Sequence, residues 1–203
     1  MKKIALQNVE YGYAIEPKGQ MPKLINQVHG GSIIETNSLS IIPDADGILT
    51  KLANNPVYVF TADCIPILLY STDVNEPVMA IHCGWRGALN RIALFGINQF
   101  SRGMVTAILG PSIRSCCFEV KQDLISAFHN ADQDVGPYLK KRGDRTYLDL
   151  VHFVAETQLK GAHIDADWNT CTYCSSPPLP SYRRNKATDP HIRSWISKKL
   201  SKS

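Results

Sequence analysis

The sequence has no long hydrophobic run. Its longest apolar stretches, at residues 57–60 and 65–70, have the length of strands, whereas a helix needs about 18 apolar residues to cross a bilayer. The N-terminal apolar stretch ends at Leu6 and is too short for the hydrophobic region of a secretory signal peptide. These absences argue against a membrane protein and against export, and they predict a cytoplasmic location.

Cysteine is also sparse. Six cysteines in 203 residues are too few for a small secreted domain that is held together by disulfides. A cytoplasm would keep these thiols reduced, so some of them are candidates for thiolate chemistry or for metal binding.

The chain carries little net charge. Its formal net charge is +4, and the basic excess lies in residues 183–203, which contain seven Lys or Arg and one Asp. A short basic segment of this kind is more often a solvated helix face than a contact for an anionic partner. We therefore interpret the basic C-terminal segment 183–203 as a solvated helix face and predict no nucleic-acid partner.

The hydrophobic pattern is that of a globular protein with many strands. Strands are predicted at residues 9–15, 23–34, 46–50, 57–61, 67–70, 78–81, 105–109 and 163–168. Apolar residues at helical spacing predict helices around residues 89–100 and 120–128, and Asp149 is positioned to cap a third helix. This order predicts a single α+β domain over residues 1–203, with mixed β-sheets flanked by helices.

Three predicted strands lie next to side chains suited to catalysis or metal binding. These side chains are His29, Cys64 and His82, and each histidine is soon followed by a glycine that permits close backbone approach. Strand ends commonly present functional groups to a crevice. The three residues are 35 and 18 positions apart, too far for a zinc finger, so only the fold can bring them together.

Several chemistries fit two histidines and one cysteine. Three protein ligands with an open fourth position are typical of catalytic zinc. Without a metal, Cys64 would be a nucleophile or a general acid whose pKa a histidine lowers. Blue copper also uses two His and one Cys, with a weak axial Met. The plainest interpretation is a small buried cysteine with two structural histidines.

Seven sequence motifs favour a catalytic or metal-binding interpretation of these residues. In chain order they read NQVHGG, ADGILT, TADCIPILLY, AIHCGWRGAL, LGPSIRSCCFEV, YLDL, and CTYC followed by LPSYRR. From about Tyr11 to Arg184 the chain resembles the YfiH-like family, whose members are called laccase-domain proteins, polyphenol oxidases or peptidoglycan-editing factors. It departs from the family at Cys83, where Ala is usual, and in residues 185–190 after SYRR.

The resemblance implies a fold, a site and an activity. The fold is one of mixed β-sheets with flanking helices, and His29, Cys64 and His82 match the family's zinc-binding and catalytic residues. Zinc is the implied cofactor, with copper as an alternative. The implied activities are phosphorolysis of adenosine, inosine, guanosine and methylthioadenosine, and deamination of adenosine, so the expected partners are a purine nucleoside and phosphate.

Phosphorolysis needs an anion site and a contact for the base. Arg86, Arg183 and Arg184 are candidates for phosphate, because a guanidinium binds oxyanions with two parallel hydrogen bonds. Trp85 or Tyr182 is suited to stack on a purine. For Arg86 and Arg183 the competing interpretation is a surface bridge between loops, and for Trp85 it is core packing.

The two aspartates in the matching segments are expected to differ. Asp63 precedes Cys64 and is predicted to contact substrate or to orient a histidine, although a structural hydrogen bond is the alternative. Asp46, in ADGILT, is predicted to be structural.

The remaining cysteines form two pairs. Cys116 and Cys117 are adjacent, whereas Cys171 and Cys174 are separated by two residues. Together they would make a four-thiolate zinc site, but the adjacent pair lacks the spacing of a zinc ribbon. We therefore favour packing near the active site.

Three other functions compete with the nucleoside enzyme. A hydrolase that edits peptidoglycan precursors would use the same Cys–His chemistry on an amide. A copper-dependent polyphenol oxidase would need further copper ligands. A non-enzymatic, zinc-stabilised domain would use its basic C-terminus to bind a partner.

Overall fold

The computed structural model describes residues 1–6, 8–17, 19, 22–36, 42–165, 170–187 and 190–200. The strands are β1 (Lys2–Ala5), β2 (Val9–Glu16), β3 (Ile33–Glu35), β4 (Gly47–Thr50), β5 (Val57–Thr61), β6 (Ile65–Ser71), β7 (Val78–Cys83), β8 (Val105–Leu109), β9 (Glu119–Val120), β10 (Leu139–Arg142), β11 (Arg145–Leu148), β12 (His163–Asp165) and β13 (His191–Lys198). The helices are α1 (Trp85–Leu89), α2 (Ile92–Ile97), α3 (Gln122–Asn130), α4 (Leu150–Thr157) and α5 (Tyr182–Asn185). The predicted α+β class, with mixed sheets flanked by helices, is confirmed.

A six-stranded sheet positions the site. Its strand order is β12-β8-β6-β7-β4-β3, with β3 parallel to β4, β12 parallel to β8 and antiparallel pairing elsewhere. Strand β6 starts directly after Cys64, and Pro66 pairs with His82 near the end of β7. Antiparallel pairing therefore brings Cys64 and His82 to the same edge of the sheet.

Both faces of this sheet are covered. Leu68 and Ala80 point into one apolar cluster, which β2, β5 and β13 also supply. Ile67 and Met79, their neighbours in sequence, belong to a second cluster with the helices. Successive strand residues face opposite sides of a sheet, so a strand covered on both faces is an unbroken apolar run.

The basic C-terminal segment is the largest correction to the sequence analysis. Residues 191–198 form β13, which pairs with β2 on one side and with β5 on the other. The prediction of a solvated helix face was therefore wrong for these residues. Ile192 and Ile196 are fully buried, so the alternating apolar residues of this strand, rather than its charge, determine its position.

Two basic side chains of β13 have hydrogen-bond partners within the fold. Arg193 forms an ion pair with Glu16 on the neighbouring strand at 2.8 Å. Lys198 donates from Nζ to the carbonyl oxygens of Val74 at 2.7 Å and Glu76 at 3.1 Å. These basic groups are bound within the fold.

The predicted helix around residues 89–100 is two short helices. Arg91 has a left-handed backbone (φ 58°) between α1 and α2, and an α-helix cannot continue through that conformation. The helix beginning after Asp149 is confirmed, because the Asp149 side chain accepts a hydrogen bond from the backbone N–H of His152. The helix predicted around residues 120–128 is α3.

The strand predicted at residues 23–34 is also wrong. Only an isolated bridge from Asn26 to Asp44 and the short strand β3 form there. The strand predicted at 163–168 begins as β12, and its residues 166–168 lie outside the described residues. The small sheet β10-β11-β9 was not predicted. None of the helices in the described parts of the chain has the length and apolar character needed to span a membrane.

Candidate active site

His29, Cys64 and His82 converge at the edge of the six-stranded sheet. Their ligand atoms all lie within 4.8 Å of one another. His82 is buried on β7, Cys64 is half-buried directly before β6, and His29 is exposed on the loop before β3. The two imidazole rings meet edge to face, with centroids 4.7 Å apart. The cluster thus has a buried side, at His82, and a side open to solvent, at His29.

The Asp46 carboxylate, which is fully buried, holds both histidines in place. His82 donates from Nδ1 to Asp46 Oδ1 at 2.7 Å, which leaves Nε2 directed at the cluster. The backbone N–H of His29 donates to the same oxygen at 3.0 Å, and that of Gly30 to Oδ2 at 2.5 Å. A carboxylate behind a histidine fixes the ring and its tautomer, a common arrangement around metal sites.

The charges at this site stabilise a thiolate beside an imidazolium. Burial alone would raise the pKa of Cys64, but the charge of His82 and hydrogen bonds from His29 and His82 lower it to about 6. Burial would likewise lower the pKa of His82, but the Cys64 thiolate and Asp46 raise it to about 9. For Asp46, hydrogen bonds from His82 and the loop outweigh burial and lower the pKa. Opposite charges in contact favour the charged form of each group.

Cys83 is the chemical opposite of Cys64. It is fully buried on β7, and burial raises the pKa of its thiol far above the ordinary value. The extra thiol at this family position therefore stays protonated inside the core.

The backbone is strained on both sides of the cluster. His29 has φ 60° and Asp63 has φ 96°, values that residues with a side chain rarely adopt. Asp46 holds the His29 turn, as described above. Asp63 is held by Thr172, whose hydroxyl donates to Oδ1 at 2.6 Å, and by the backbone N–H of Arg183, which donates to Oδ2 at 2.6 Å. Such strain persists only where surrounding contacts enforce it, and it is concentrated at functional sites.

Gly84 is needed because the cluster packs directly against its backbone. A Cβ at this position would lie 2.9 Å from Cys64 Sγ and 3.4 Å from His29 Cδ2. Any larger residue would displace the thiol. The chain then enters α1 with Trp85 and Arg86, so these two side chains leave the backbone beside the cluster.

The substrate-binding candidates occupy different environments. The Arg86 guanidinium is exposed and lies over the Trp85 ring, 4.4 Å from its centroid. Arg183 donates from Nη1 to the carbonyl oxygen of Glu119 at 3.0 Å, and its guanidinium lies over the Phe118 ring. Tyr182 is exposed.

Arg184 is a bridge between loops. Its Nη1 donates to the carbonyl oxygens of Thr172 and Tyr173, and its Nη2 donates to that of Leu179. These bonds occupy the guanidinium edge that would bind an anion, so phosphate binding by Arg184 was the wrong interpretation.

The aspartate that orients a histidine was missed. From the sequence, Asp63 was predicted to have this role and Asp46 to be structural. In the structure Asp46 contacts His82, whereas Asp63 accepts hydrogen bonds from Thr172, Arg183 and Ile113. Both aspartates lie within matching segments, and only pairing of β4 with β7 brings Asp46 beside His82. No local pattern distinguished them.

Two groups of side chains in the described residues have the geometry to hold a metal ion. His29, Cys64 and His82 supply two nitrogens and a sulfur, with Asp46 behind His82. This donor set fits zinc with an open position. The second group is Cys116, Cys117, Cys171 and Cys174, whose sulfurs also lie within 4.8 Å of one another.

Comparison with known proteins identifies the family. Residues 12–197 match the family model described as multi-copper polyphenol oxidoreductase laccase. The chain belongs to this family. The resemblance to YfiH-like proteins seen in the sequence is thereby confirmed.

Members of the family with assigned names are moderately similar in sequence. A purine nucleoside phosphorylase of Aquifex aeolicus is 33% identical over 160 residues, which cover 75% of this chain and 71% of that protein. The purine nucleoside phosphorylase YfiH of Escherichia coli is 29% identical over 172 residues, covering 82% and 70%.

Solved structures agree on the fold. Neisseria meningitidis protein NMB0706, of family DUF152, superposes with a TM-score of 0.77 at 27% identity, covering 87% of this chain and 74% of that one. YlmD of Geobacillus stearothermophilus gives a TM-score of 0.75 at 17% identity, covering 95% and 92%. The latter likeness concerns the fold alone.

Proposed function

We propose that this protein is a purine nucleoside phosphorylase that works on adenosine, inosine, guanosine and methylthioadenosine, with adenosine deaminase as a second activity. The convergence of His29, Cys64 and His82 within 4.8 Å carries the proposal. The names of the family relatives support the same reaction.

The reaction needs no redox step. A phosphate oxygen forms a bond to C1′ of the ribose while the bond from C1′ to the purine nitrogen breaks. The bonding electrons go to the base, which takes up a proton and leaves. The residues must therefore hold an anion, hold a purine and deliver a proton, which is general acid catalysis.

The exposed side of the cluster is where substrate would bind. His29 is its exposed member, so we assign His29 to direct contact with the reacting nucleoside, with Cys64 beside it. His82 and Asp46 form the buried side, where the hydrogen bond between them fixes the orientation of the His82 ring. Deamination would use the same face, with water attacking C6 of adenine in place of phosphate attacking the sugar.

The proposed cofactor is zinc bound by His29, Cys64 and His82. When bound, it would supply Lewis acidity next to the reacting groups. The carboxylate of Asp46 would keep His82 in the tautomer that presents Nε2.

Four further residues are proposed to contact or border the substrate. Arg86 would bind phosphate, because its guanidinium is exposed and its helix α1 begins directly after Gly84, which packs against the cluster. Trp85 would stack on the purine. Arg183 would add a second positive charge. Asp63 would hold the wall beside Cys64, since its carboxylate connects that strand end to Thr172 and Arg183.

The remaining proposals concern the protein as a whole. We propose that residues 1–203 make one domain and that the protein works in the cytoplasm, where its substrates occur. Phenol oxidation, which the name of the family model suggests, is disfavoured because all four ligands of the second metal-competent group in the described residues are cysteine sulfurs, and a four-sulfur site selects zinc or Cu(I) rather than Cu(II).

Product analysis tests the function. The purified protein is incubated with adenosine or inosine, with and without phosphate, and the products are separated by chromatography. We expect free base and ribose 1-phosphate only with phosphate, and inosine from adenosine without it. Cys64→Ala should abolish both.

The matched control is Cys83→Ala, which removes the neighbouring buried thiol and restores the residue usual in the family. It should leave both activities intact. If the wild-type protein turns over neither nucleoside, the proposal fails and a hydrolase acting on amides of peptidoglycan precursors becomes the better hypothesis. Phenol oxidation after loading with copper would favour the oxidase instead.

A further inference from the structure

The second group of potential metal ligands consists of four cysteine sulfurs and contains no histidine. Cys116 and Cys117 belong to the turn between β8 and β9, and Cys171 and Cys174 to a turn that follows β12. Although the two pairs are more than fifty residues apart, all four Sγ atoms lie within 4.8 Å of one another. All four are free thiols.

The spacing of these sulfurs fits one metal ion. With Zn–S bonds of about 2.3 Å, the sulfurs of a tetrahedral site lie about 3.8 Å apart. The Sγ atoms of Cys116 and Cys174 are 3.6 Å apart, close to that value and far from the roughly 2.05 Å of a disulfide bond. A contraction of at most about an ångström would complete the tetrahedron.

We propose that Cys116, Cys117, Cys171 and Cys174 bind a structural zinc ion, separate from the site of His29, Cys64 and His82. Four protein ligands close the coordination sphere, which is the pattern of structural zinc, and four thiolates select zinc over harder ions. The proposal does not depend on the proposed enzyme activity.

Positive groups surround the cluster. Zinc with four thiolates carries a net charge of about −2, which a protein must balance. The half-buried Arg114 interacts electrostatically with Cys116 and Cys171, and its Nε has no hydrogen-bond partner in the described structure. Arg142 donates from Nη1 to the carbonyl oxygen of Cys116 at 3.0 Å. A buried donor without a partner needs an explanation, and the anionic zinc–thiolate cluster proposed here would supply one for Arg114 Nε.

The location gives the ion a role. Thr172 lies between two of the cysteines, and its hydroxyl holds Asp63 next to Cys64. Its backbone N–H also donates to the carbonyl oxygen of Ser112 at 3.1 Å. A zinc ion that fixes residues 171–174 against residues 116–117 would therefore fix the wall of the histidine–cysteine site.

Metal analysis of two variants tests this proposal. The reduced protein is loaded with zinc, excess metal is removed, and bound zinc is counted by mass spectrometry. We expect about two zinc ions per chain in the wild type and in Cys83→Ala, and about one in Cys64→Ala and in the double variant Cys171→Ser/Cys174→Ser.

Cobalt spectroscopy distinguishes the sites even if the double variant fails to fold. Cys64→Ala loaded with Co²⁺ retains the proposed site, so it should show strong thiolate-to-cobalt charge-transfer absorption and tetrahedral visible bands, and zinc should displace them. Loss of metal from Cys64→Ala would overturn the proposal. The proposal would also be overturned if zinc did not slow the reaction of a thiol reagent with Cys116, Cys117, Cys171 and Cys174 in that variant.

Discussion

The Asp46 carboxylate accepts a hydrogen bond from His82 Nδ1 at 2.7 Å in an environment where neither side chain is more than 4% exposed. The same oxygen accepts the backbone N–H of His29. One buried group therefore sets the ring orientation of one histidine and the backbone conformation of the other. The geometry of both histidines therefore depends on a residue that has no exposure to solvent.

Asp46→Asn should damage the cluster. The amide NH₂ of Asn would face the N–H of either His29 or Gly30, leaving a buried donor unpaired at a cost of about 1–3 kcal/mol. The histidine tautomer would also lose its anionic acceptor, so zinc affinity at the histidine site should fall about 10- to 100-fold. Competition with a chelating dye measures this affinity.

Asp44→Asn is the control for that experiment. Asp44 is exposed and accepts a hydrogen bond from the Asn26 side chain. It lies two residues from Asp46 without contacting a histidine. Equal affinities in the two variants would show that Asp46 does not orient the site.

Gly84→Ala should disable the site with little loss of fold stability. The new Cβ would lie 2.9 Å from Cys64 Sγ, so the thiol must rotate or the β7–α1 turn must shift. We expect zinc affinity and nucleoside turnover to fall at least tenfold. A tenfold loss corresponds to about 1.4 kcal/mol of binding or activation free energy, which the displaced thiol would cost.

Gly143→Ala provides the contrast. Gly143 has φ 56° in the turn between β10 and β11, and a Cβ there would have nothing within 4 Å. This variant should lose about 1 kcal/mol of stability from backbone strain and retain zinc at the histidine site. If Gly84→Ala binds zinc as tightly as Gly143→Ala, the close packing at Gly84 is unimportant.

Local patterns predicted the centre of the fold and pairings over long distances decided the rest. Strands β6 and β7 are apolar runs, and the Asp149 cap is a contact over three residues, so both were predicted. The position of β13 depends on partners at Val9–Glu16 and Val57–Thr61, which its basic composition does not reveal. The left-handed Arg91 that divides the helix leaves no trace in the hydrophobic spacing.

In the site, too, local patterns were predictable and contacts between distant residues were not. His29, Cys64 and His82 were predicted from strand ends and from the family resemblance, and the fold brings them together. The role of Asp46 and the assembly of the four other cysteines depend on residues that are 36 or more positions apart. Arg184 resembled a phosphate ligand because a sequence does not show which carbonyl oxygens surround a guanidinium.

Alkylation should reveal the thiolate of Cys64 in the metal-free protein. Its pKa of about 6 means that the reactive form is mostly present at neutral pH. The iodoacetamide rate at Cys64, followed by peptide mass spectrometry, should rise through about pH 6 and level off above it. Cys83 should stay unlabelled, because it is buried and its pKa is raised.

His82→Gln tests the cause of that reactivity. Without the imidazolium, the midpoint of the Cys64 profile should move up towards the ordinary thiol range of about 8.5. An unchanged midpoint in His82→Gln would show that His82 does not stabilise the thiolate.

Asp149 should stabilise the fold in two separable ways. Its side chain caps α4 through the N–H of His152 and pairs with Lys140 Nζ at 3.1 Å. Burial would raise its pKa, but the hydrogen bonds from Lys140 and His152 outweigh burial and hold the pKa below the ordinary value of an aspartate. Asp149→Asn keeps a capping oxygen and loses only the charge, whereas Asp149→Ala loses both.

The pH dependence of unfolding separates the two contributions. Because the folded pKa is lowered, the stability from the charge is fully present above the unfolded pKa of about 3.9 and is lost as pH falls through the folded value. Lys140 is half exposed, so the charge should contribute only about 0.2–1 kcal/mol, and the cap about 1 kcal/mol. In urea unfolding, the difference between wild type and Asp149→Asn should therefore shrink from pH 7 to pH 3, while Asp149→Ala stays less stable than Asp149→Asn at both. A wild-type advantage over Asp149→Asn that is the same at both pH values would show that the carboxylate charge contributes nothing to the folded state.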